Sequence, residues 1–553
     1  MKKKYAAAAI LVFCAVLITV SALVLINNRP ENPHSESSSS FESESVPTSS
    51  EPETKLPLYD GDFISLDNGD SFYTPDKIHS VTDAGRTVLY YNNLLLAFTA
   101  GDLPKDERDS LARSIGGEIV GVISGAVHAI QIRVLDSDLA GLEKLAAKLM
   151  ENESVIYSCA EYPVQIMGTR ADENPWASEE TEETDDILGD EANPAGNDWW
   201  AEAIGAYTAW EYSSLCGEIR VGIADNGFFT GHEDFGENIS VITPTETNTP
   251  ADHGTLVAGI IGAADNNIGI RGIADTAKLY CADLWPEDDP DSYHTMAEYL
   301  AVINLMAQSG VKIVNNSWGC LIPSQNKWEE NIFGEASGTH GEEYSRWVDN
   351  RINRDLIPTA EYCIVLISQL ISSGYENILM VQAAGNGLDN GGSGFDARSL
   401  GFFAGITEEV YQNMAPSVYE KLKALGITYK DIDERILIVG AVLNERDPEG
   451  NFYMIPFSNF GETVDICAPG ASIFSTAIDG YGAYSGTSLS APMVAGGAAL
   501  IWSLKPELTV SQVRNILLGS ARFRAVGFEA SEGWSYPMLN IGAAAEMLLG
   551  KEW

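Results

Sequence analysis

The amino-acid sequence predicts an α/β fold, in which a parallel sheet sandwiched by helices is preceded by a small α+β domain. From residue 198 onward, short apolar runs alternate with helical patterns, which indicates a parallel sheet covered by helices on both faces. The apolar runs lie at residues 221–224, 279–282, 313–316, 378–384 and 436–442. Polar residues that follow such runs lie at the carboxyl edge of the sheet, where sites of α/β proteins form.

Length and charge limit the classes of function. A chain of 553 residues is longer than one ordinary domain, so two folded units with linkers are expected. Asp and Glu number 79 against 33 Lys and Arg, for a formal net charge of −46. A surface this acidic argues against a nucleic-acid partner.

The N-terminal segment predicts export. Lysines at residues 2–4 precede an uncharged, mostly apolar stretch over residues 5–26. Its length suits a membrane span of about 20 residues better than a signal-peptide core of about 7 to 15. We expect residues 1–26 to anchor an extracytoplasmic protein, while a small-residue site at 20–22 leaves open secretion after cleavage. Residues 27–57, rich in Ser, Glu and Pro, are predicted to be a disordered tether.

Residues 58–167 predict the smaller domain. Strand patterns lie at 88–98 and 127–134, helical patterns at 104–115 and 137–150, and a last strand begins at 155. This βαββαβ-like order is typical of a ferredoxin-like domain, and an unrelated accessory domain is the alternative. Residues 168–196 are acidic and punctuated by Pro and Gly, so we expect a solvated linker open to cleavage.

Ser488 is placed as a nucleophile would be. It follows a Gly-Thr turn in the string GTSLSAPMVAG and precedes a long segment of small, apolar residues. At the start of a buried helix, unpaired N–H groups point toward its hydroxyl and can stabilise an oxyanion. An ordinary serine N-cap is the alternative.

Two further motifs offer the partners that a serine nucleophile needs. Asp225 ends the apolar run of IRVGIADNG, and His253 begins the helical pattern of HGTLVAG. Taken singly, a turn-forming aspartate and a structural histidine are the commoner meanings. Their occurrence together with Ser488, each among glycines, indicates a catalytic set.

These motifs resemble those of the subtilisin family (subtilases), serine endopeptidases with the chain order Asp, His, Ser. The resemblance spans about residues 199–545 and implies a catalytic domain over 197–553. It implies that Asp225, His253 and Ser488 cleave protein or peptide substrates through an acyl-enzyme, without a catalytic cofactor. It also implies that residues 58–167 are a propeptide, an intramolecular chaperone and inhibitor removed by self-processing between about residues 164 and 193.

The resemblance extends to further positions. Asn386, in AAGNG, matches an oxyanion donor, and Ser317, Trp318 and Gly319, in NSWG, match the strand that lines the primary specificity pocket and pairs with substrate. The loop after His253 matches a structural calcium site. Its ligands here would be the side chains of Asp234 and Asn266 and the carbonyls of Ala264, Ile268 and Ile270. A well-packed turn without an ion is the alternative.

Three stretches depart from a minimal subtilase, at residues 285–295, 320–363 and 388–433. The last two follow the pocket strand and the oxyanion strand, so we expect them to overhang the cleft, where they restrict substrates or bind a partner. Cys320 and Cys363 bracket one of them, and the sequence leaves open whether they pair. A catalytically silent, subtilase-shaped binding or regulatory protein is the alternative function.

Overall fold

A computed structural model of the chain describes most residues from 61 to 550. The described ranges are 61–75, 78–83, 86–164, 199–243, 253–284, 294–320, 324–333, 335–387, 393–478, 480–527 and 529–550. All of them belong to one compact unit. The predicted anchor (1–26), tether (27–57) and acidic linker (168–196) lie outside the described residues.

Residues 61–164, here the N-terminal unit, form a six-stranded antiparallel sheet with two helices. The elements are β1 (Gly61–Ser65), β2 (Ser71–Pro75), β3 (His79–Asp83), β4 (Arg86–Tyr90), β5 (Leu94–Thr99), α1 (Lys105–Ser114), β6 (Glu118–Ile123), β7 (Ala129–Arg133), α2 (Leu139–Met150), β8 (Val155–Ala160) and β9 (Pro163–Val164). The strand order is β1-β2-β6-β7-β5-β8, and β3 and β4 form a separate hairpin. Elements β5 to β8 follow one another as βαββαβ. The sequence pattern did not identify β1, β2, β3 or β6.

Strand β5 shows how the N-terminal unit packs against the rest of the chain. All six residues of its sequence LLLAFT are buried. Leu95 and Ala97 pack in the core beneath α1 and α2, whereas Leu96 and Phe98 join the core of the rest of the chain. Since side chains alternate between the faces of a sheet, a continuous apolar strand is one that is covered on both faces. The unit therefore packs on the following domain with a full sheet face.

Residues 199–550, here the central domain, contain the remaining elements. The helices are α3 (Trp199–Ala203), α4 (Ala206–Trp210), α5 (His253–Gly262), α6 (Met296–Gln308), α7 (Gln325–Phe333), α8 (Gly341–Asn350), α9 (Ile357–Ser372), α10 (Glu408–Asn413), α11 (Pro416–Ala424), α12 (Tyr429–Asp433), α13 (Thr487–Leu504), α14 (Val510–Gly519) and α15 (Ile541–Leu548). The strands are β10 (Arg220–Asp225), β11 (Ile239–Val241), β12 (Lys278–Asp283), β13 (His294–Thr295), β14 (Ile313–Asn316), β15 (Leu379–Ala383), β16 (Ile436–Arg446), β17 (Phe452–Met454), β18 (Ile466–Pro469), β19 (Ile473–Ala477), β20 (Gly480–Tyr484), β21 (Arg524–Val526) and β22 (Ser535–Pro537).

The central sheet is the parallel sheet that the apolar runs predict. Seven strands stand parallel in the order β11-β12-β10-β14-β15-β16-β18. Strands β17, β21 and β22 extend it with two antiparallel pairings. In the described part of the chain, two helical stretches, Gly341–Ser372 and α13, are long and apolar enough to cross a membrane. Helix α13 is almost entirely buried among the other elements, so it is the core helix of this sheet.

The two long insertions have structure of their own. Residues 320–363 include α7 and α8, where the rings of Trp328, Tyr344 and Trp347 pack together. Residues 393–433 include α10, α11 and α12. Cys320 and Cys363 are free thiols, and burial raises the pKa of both. The pairing that the sequence left open is not formed.

Candidate active site

Asp225 and His253 form a buried hydrogen-bonded pair. Strand β10 ends at Asp225, at the carboxyl edge of the parallel sheet, and α5 begins at His253. Nδ1 of His253 lies 2.6 Å from Oδ1 of Asp225, and this oxygen also accepts the Asn226 N–H at 2.8 Å. Only 2% of Asp225 and 8% of His253 is exposed. A carboxylate held on Nδ1 fixes the imidazole tautomer and leaves Nε2 as the nitrogen that can take a proton.

Ser488 lies in the first turn of α13, as predicted, beside the next strand of the sheet. Its neighbour is Ser317, which follows the end of β14. Strands β10 and β14 are adjacent and parallel, with Ala224 opposite Asn316. Asp225 and Ser317 are thus the next residues on neighbouring strands, which stand about 4.8 Å apart. The sheet brings the His253 and Ser488 motifs to one edge.

The hydroxyl of Ser488 is bonded to Ser317 in this arrangement. Ser488 Oγ donates to the Ser317 carbonyl at 3.2 Å, and Ser317 Oγ donates to the Ser488 carbonyl at 2.9 Å. Among the described residues no hydrogen bond joins Ser488 to His253. Catalytic hydrogen bonds are often absent or long before substrate binds, so the missing bond does not argue against a catalytic role for Ser488.

Asn386 is held beside the start of α13. Its Oδ1 accepts the backbone N–H and the hydroxyl of Thr487, both at 2.8 Å. With Oδ1 so oriented, Nδ2 faces the space at Gly486. A Cβ atom on Gly486 would lie 3.4 Å from this Nδ2 and 3.6 Å from the Ser488 nitrogen. Two N–H donors therefore border one small space that glycine keeps open, a geometry suited to an oxyanion.

Asn459, which the sequence reasoning missed, braces the turn that carries Asn386. Its backbone N–H donates to the Gly385 carbonyl at 2.9 Å. Its Oδ1 accepts the N–H groups of Gly387 at 3.1 Å and Phe395 at 2.9 Å. Gly385 has φ +101°, and a Cβ there would lie 2.5 Å from Asn459 Nδ2. The string SNFG fits an ordinary turn equally well, so the sequence carries no distinctive signal for this residue.

The insertion at residues 393–433, here the second insertion, covers the predicted pocket strand. The Trp318 indole is buried, donates to the Ala224 carbonyl at 2.8 Å and packs edge-on against Phe402. A Cβ on Gly319 would lie 2.1 Å from Leu400 Cγ. The insertion thus packs directly on this strand, and the Trp318 side chain is part of the core.

The five predicted calcium ligands lie around one turn. Asp234 is fully buried, its Oδ2 accepts the Ile270 N–H at 2.9 Å, and its Oδ1 has no partner among the described residues. Burial raises the pKa of this carboxyl. Asn266 Oδ1 accepts the Ile268 N–H at 2.8 Å, and the Ala264 carbonyl accepts the Asn266 N–H at 3.0 Å.

One feature of this donor set fits a hard cation, namely the Oδ1 of Asp234, which is unpartnered among the described residues. An orphaned carboxylate oxygen beside backbone carbonyls is what Ca²⁺ prefers. In the described ranges, no group of three or more His, Cys, Asp or Glu side chains is arranged for a metal. Backbone oxygens would therefore supply most of the ligands.

The chain matches one family model and is similar to known proteins in sequence and in fold. A family model described as the subtilase family matches residues 217–535, more than half of the chain. Subtilisin DY from Bacillus licheniformis is 26% identical over 333 residues, covering 59% of this chain and 91% of that protein. The Aeromonas extracellular serine protease from Aeromonas sobria is 26% identical over 357 residues, covering 59% and 51%. The structure of fervidolysin from Fervidobacterium pennivorans, a keratinolytic enzyme related to subtilisin, is similar in fold, with a TM-score of 0.50 at 19% identity over 89% of this chain and 64% of fervidolysin.

Proposed function

Because the chain belongs to the subtilase family and is a serine endopeptidase, we propose that Asp225, His253 and Ser488 are its catalytic triad. The observation that carries this proposal is the buried 2.6 Å contact between His253 and Asp225, with Ser488 hydrogen-bonded to Ser317 at the end of the neighbouring strand. Proteins or peptides are the substrates, and the chemistry needs no catalytic cofactor.

The proposed mechanism is acyl transfer. His253 Nε2 takes the proton of Ser488 Oγ as this oxygen attacks the peptide carbonyl, and then gives it to the leaving amine. Asp225 stabilises the imidazolium, and water hydrolyses the acyl-enzyme by the same route. Ser488 must first turn from the Ser317 carbonyl to His253. An extended substrate that pairs with this strand competes for that carbonyl, so substrate binding favours the turn.

Asn386 is proposed to stabilise the oxyanion together with the Ser488 N–H. Removing one such donor typically lowers kcat by about 10² to 10³. We propose that Ser317, Trp318 and Gly319 bind substrate through their backbone, because the Trp318 indole is used for packing. Leu400 then limits the space at the end of this strand.

The N-terminal unit is proposed to be the propeptide. Its βαββαβ order and its packing on the central domain support this role. At its end, β9 pairs antiparallel with β13, with Val164 opposite His294. The chain thus leaves the unit along the central domain, which supports self-processing between about residues 164 and 193. A cut there separates the protease from residues 1–26, the proposed export signal and membrane anchor.

Calcium is proposed as a structural ion. Asp234, Asn266 and the carbonyls of Ala264, Ile268 and Ile270 would hold it, and the orphaned Oδ1 of Asp234 supports this assignment. The ion would neutralise a buried carboxylate. It has no part in the acyl transfer.

The alternative to a catalytic triad is a catalytically silent, subtilase-shaped binding or regulatory protein. A fluorophosphonate probe separates the two. We expect the processed wild-type chain to be labelled and Ser488→Ala to stay unlabelled. A processed wild type that takes up no probe would establish the silent protein.

A further inference from the structure

Helix α11, within the second insertion, contacts the N-terminal unit through one lysine. Lys421 Nζ donates to the backbone carbonyls of Met150 and Asn152 at 3.1 Å each and of Val155 at 2.5 Å. These carbonyls lie in the turn between α2 and β8. An ammonium group has three N–H donors, so this turn satisfies all of them.

The contact is electrostatically favourable. Met150 is the last residue of α2, and the last carbonyls of a helix lack intrahelical donors and carry the negative end of its dipole. Hydrogen bonds from a charged donor are about twice as strong as those between neutral groups. Lys421 is half-buried, and burial lowers its pKa, so the contact is partly shielded from water.

The lysine is presented by a packed element. Val418 and Leu422, on the same helix, are fully buried. Tyr411 of α10 packs against Tyr419 of α11, and its hydroxyl donates to the Ile427 carbonyl at 2.7 Å. The insertion is therefore a small fixed platform and not a loose loop over the cleft.

We infer that α11 is a clasp for the propeptide. Its Lys421 contact slows release of the N-terminal unit from the central domain after the connecting segment is cut. Activity then appears when the retained propeptide dissociates or is degraded. This inference rests on the proposed function of the N-terminal unit, and its partner is a group of backbone carbonyls at a helix C-terminus of the chain's own propeptide.

The test uses the full-length chain as wild type, Lys421→Met and Lys423→Met. Methionine keeps the apolar stem and removes the ammonium. Lys423 is exposed on the same helix and lies near Glu420, so its substitution is the matched control. Gel filtration after self-processing measures retained propeptide, and a peptide substrate measures the onset of activity.

We expect the propeptide of Lys421→Met to dissociate roughly tenfold faster, the effect of about 1.4 kcal/mol, and activity to appear correspondingly earlier. Lys423→Met should behave as wild type. The kcat/KM of fully activated enzyme should be the same in all three, because Lys421 lies outside the catalytic set. If Lys421→Met does not process, Lys421→Gln, which keeps a neutral donor, replaces it and should dissociate at an intermediate rate.

Two outcomes separate the clasp from the propeptide function. Retention in the Lys421 variants equal to that in wild type overturns the clasp and leaves the propeptide function in place. A wild-type chain that is active without losing the N-terminal unit overturns the propeptide function, and the clasp with it.

Discussion

Ser488 and Ser317 hold each other through a reciprocal pair of hydrogen bonds, 2.9 and 3.2 Å long, between the start of α13 and the end of β14. The proposed nucleophile is thereby tied to the strand that is proposed to receive the substrate. Since its hydroxyl donates to that strand, we expect substrate binding to change the acceptor of this one proton. This coupling makes the Ser317 side chain a structural support of the site.

Replacing Ser317 by alanine should destabilise the protein. The variant loses the bond to the Ser488 carbonyl and removes the acceptor of Asn315 Nδ2, which lies 2.9 Å from Ser317 Oγ. Buried polar groups left unpaired cost about 1 to 3 kcal/mol. Urea unfolding in a Ser488→Ala background, which prevents autolysis, measures the loss. Ser240→Ala, at an exposed position of β11 whose hydroxyl donates to the Leu279 carbonyl at 3.3 Å, is the control for loss of one exposed hydrogen bond. A Ser317→Ala effect no larger than that of the control contradicts this prediction.

Asp225→Asn should abolish most of the activity without unfolding the chain. The amide presents an N–H to His253 Nδ1 and so favours the wrong tautomer, an effect of about 10⁴ on kcat in a triad. Steady-state kinetics on a peptide substrate, with enzyme concentration from near-ultraviolet absorbance, gives the ratio. An Asp225→Asn enzyme within tenfold of wild type would mean that this carboxylate has no catalytic part.

How much of this fold the sequence predicts depends on whether the evidence lies within a short stretch of residues or in contacts between distant ones. Runs such as 221–224 and 436–442 are buried on both faces, so their composition alone indicates parallel strands, and β10 and β16 lie there. Short strands of mixed polar and apolar composition, such as β2 with sequence SFYTP, carry no comparable pattern.

The candidate active site divides in the same way, into residues that a local motif marks and residues whose roles depend on distant contacts. Asp225, His253 and Asn386 lie in motifs whose local pattern points to them. The roles of Asn459 and Lys421 arise only from contacts between residues far apart in the chain, such as Lys421 with Met150. No local periodicity records such contacts.

Asn459→Ala should lower kcat more than it raises KM. The alanine removes the acceptor for the Gly387 and Phe395 N–H groups, which loosens the turn that holds Asn386, the proposed oxyanion donor. A misplaced donor weakens transition-state binding alone, by about tenfold to a hundredfold. Asn459→Asp keeps an acceptor oxygen and should recover part of the rate. A rise in KM with constant kcat would show that Asn459 supports substrate binding instead.

Glu161 should make the attachment of the N-terminal unit weaken as pH rises. This carboxyl is fully buried between the N-terminal unit and the central domain, where it accepts hydrogen bonds from Gln131 Nε2 and the Met296 N–H. Burial raises its pKa from 4.5 to about 8. A raised pKa means that the folded state binds the proton more tightly than the unfolded state. The stabilisation is therefore complete below about pH 4.5 and is lost as pH rises to about 8.

The dependence of the free energy of unfolding on pH tests whether Glu161 is the group responsible. In a Ser488→Ala background, the free energy of unfolding should fall with pH by up to about 1.4 kcal/mol per unit over that range. Glu161→Gln, which imitates the protonated acid, should remove this part of the slope. Equal slopes for the two chains, measured by urea unfolding from pH 5 to 8, would assign the pH dependence to other groups.

Calcium should stabilise the chain through Asp234. The orphaned Oδ1 of this buried carboxylate has no protein donor among the described residues, so a cation there removes an electrostatic cost that the apo protein retains. In a Ser488→Ala background, calcium at a hundred times its Kd should add about 2.7 kcal/mol of stability, seen as a higher Tm than in chelator.

Asp234→Asn should lose this response. Asp265→Asn, in the same loop but paired with Arg271, should keep it, because Asp265 is not a proposed ligand. If Tm is the same with calcium and with chelator, the turn is closed by its own hydrogen bonds, and the Ile270 N–H on Oδ2 is then sufficient to hold the buried Asp234.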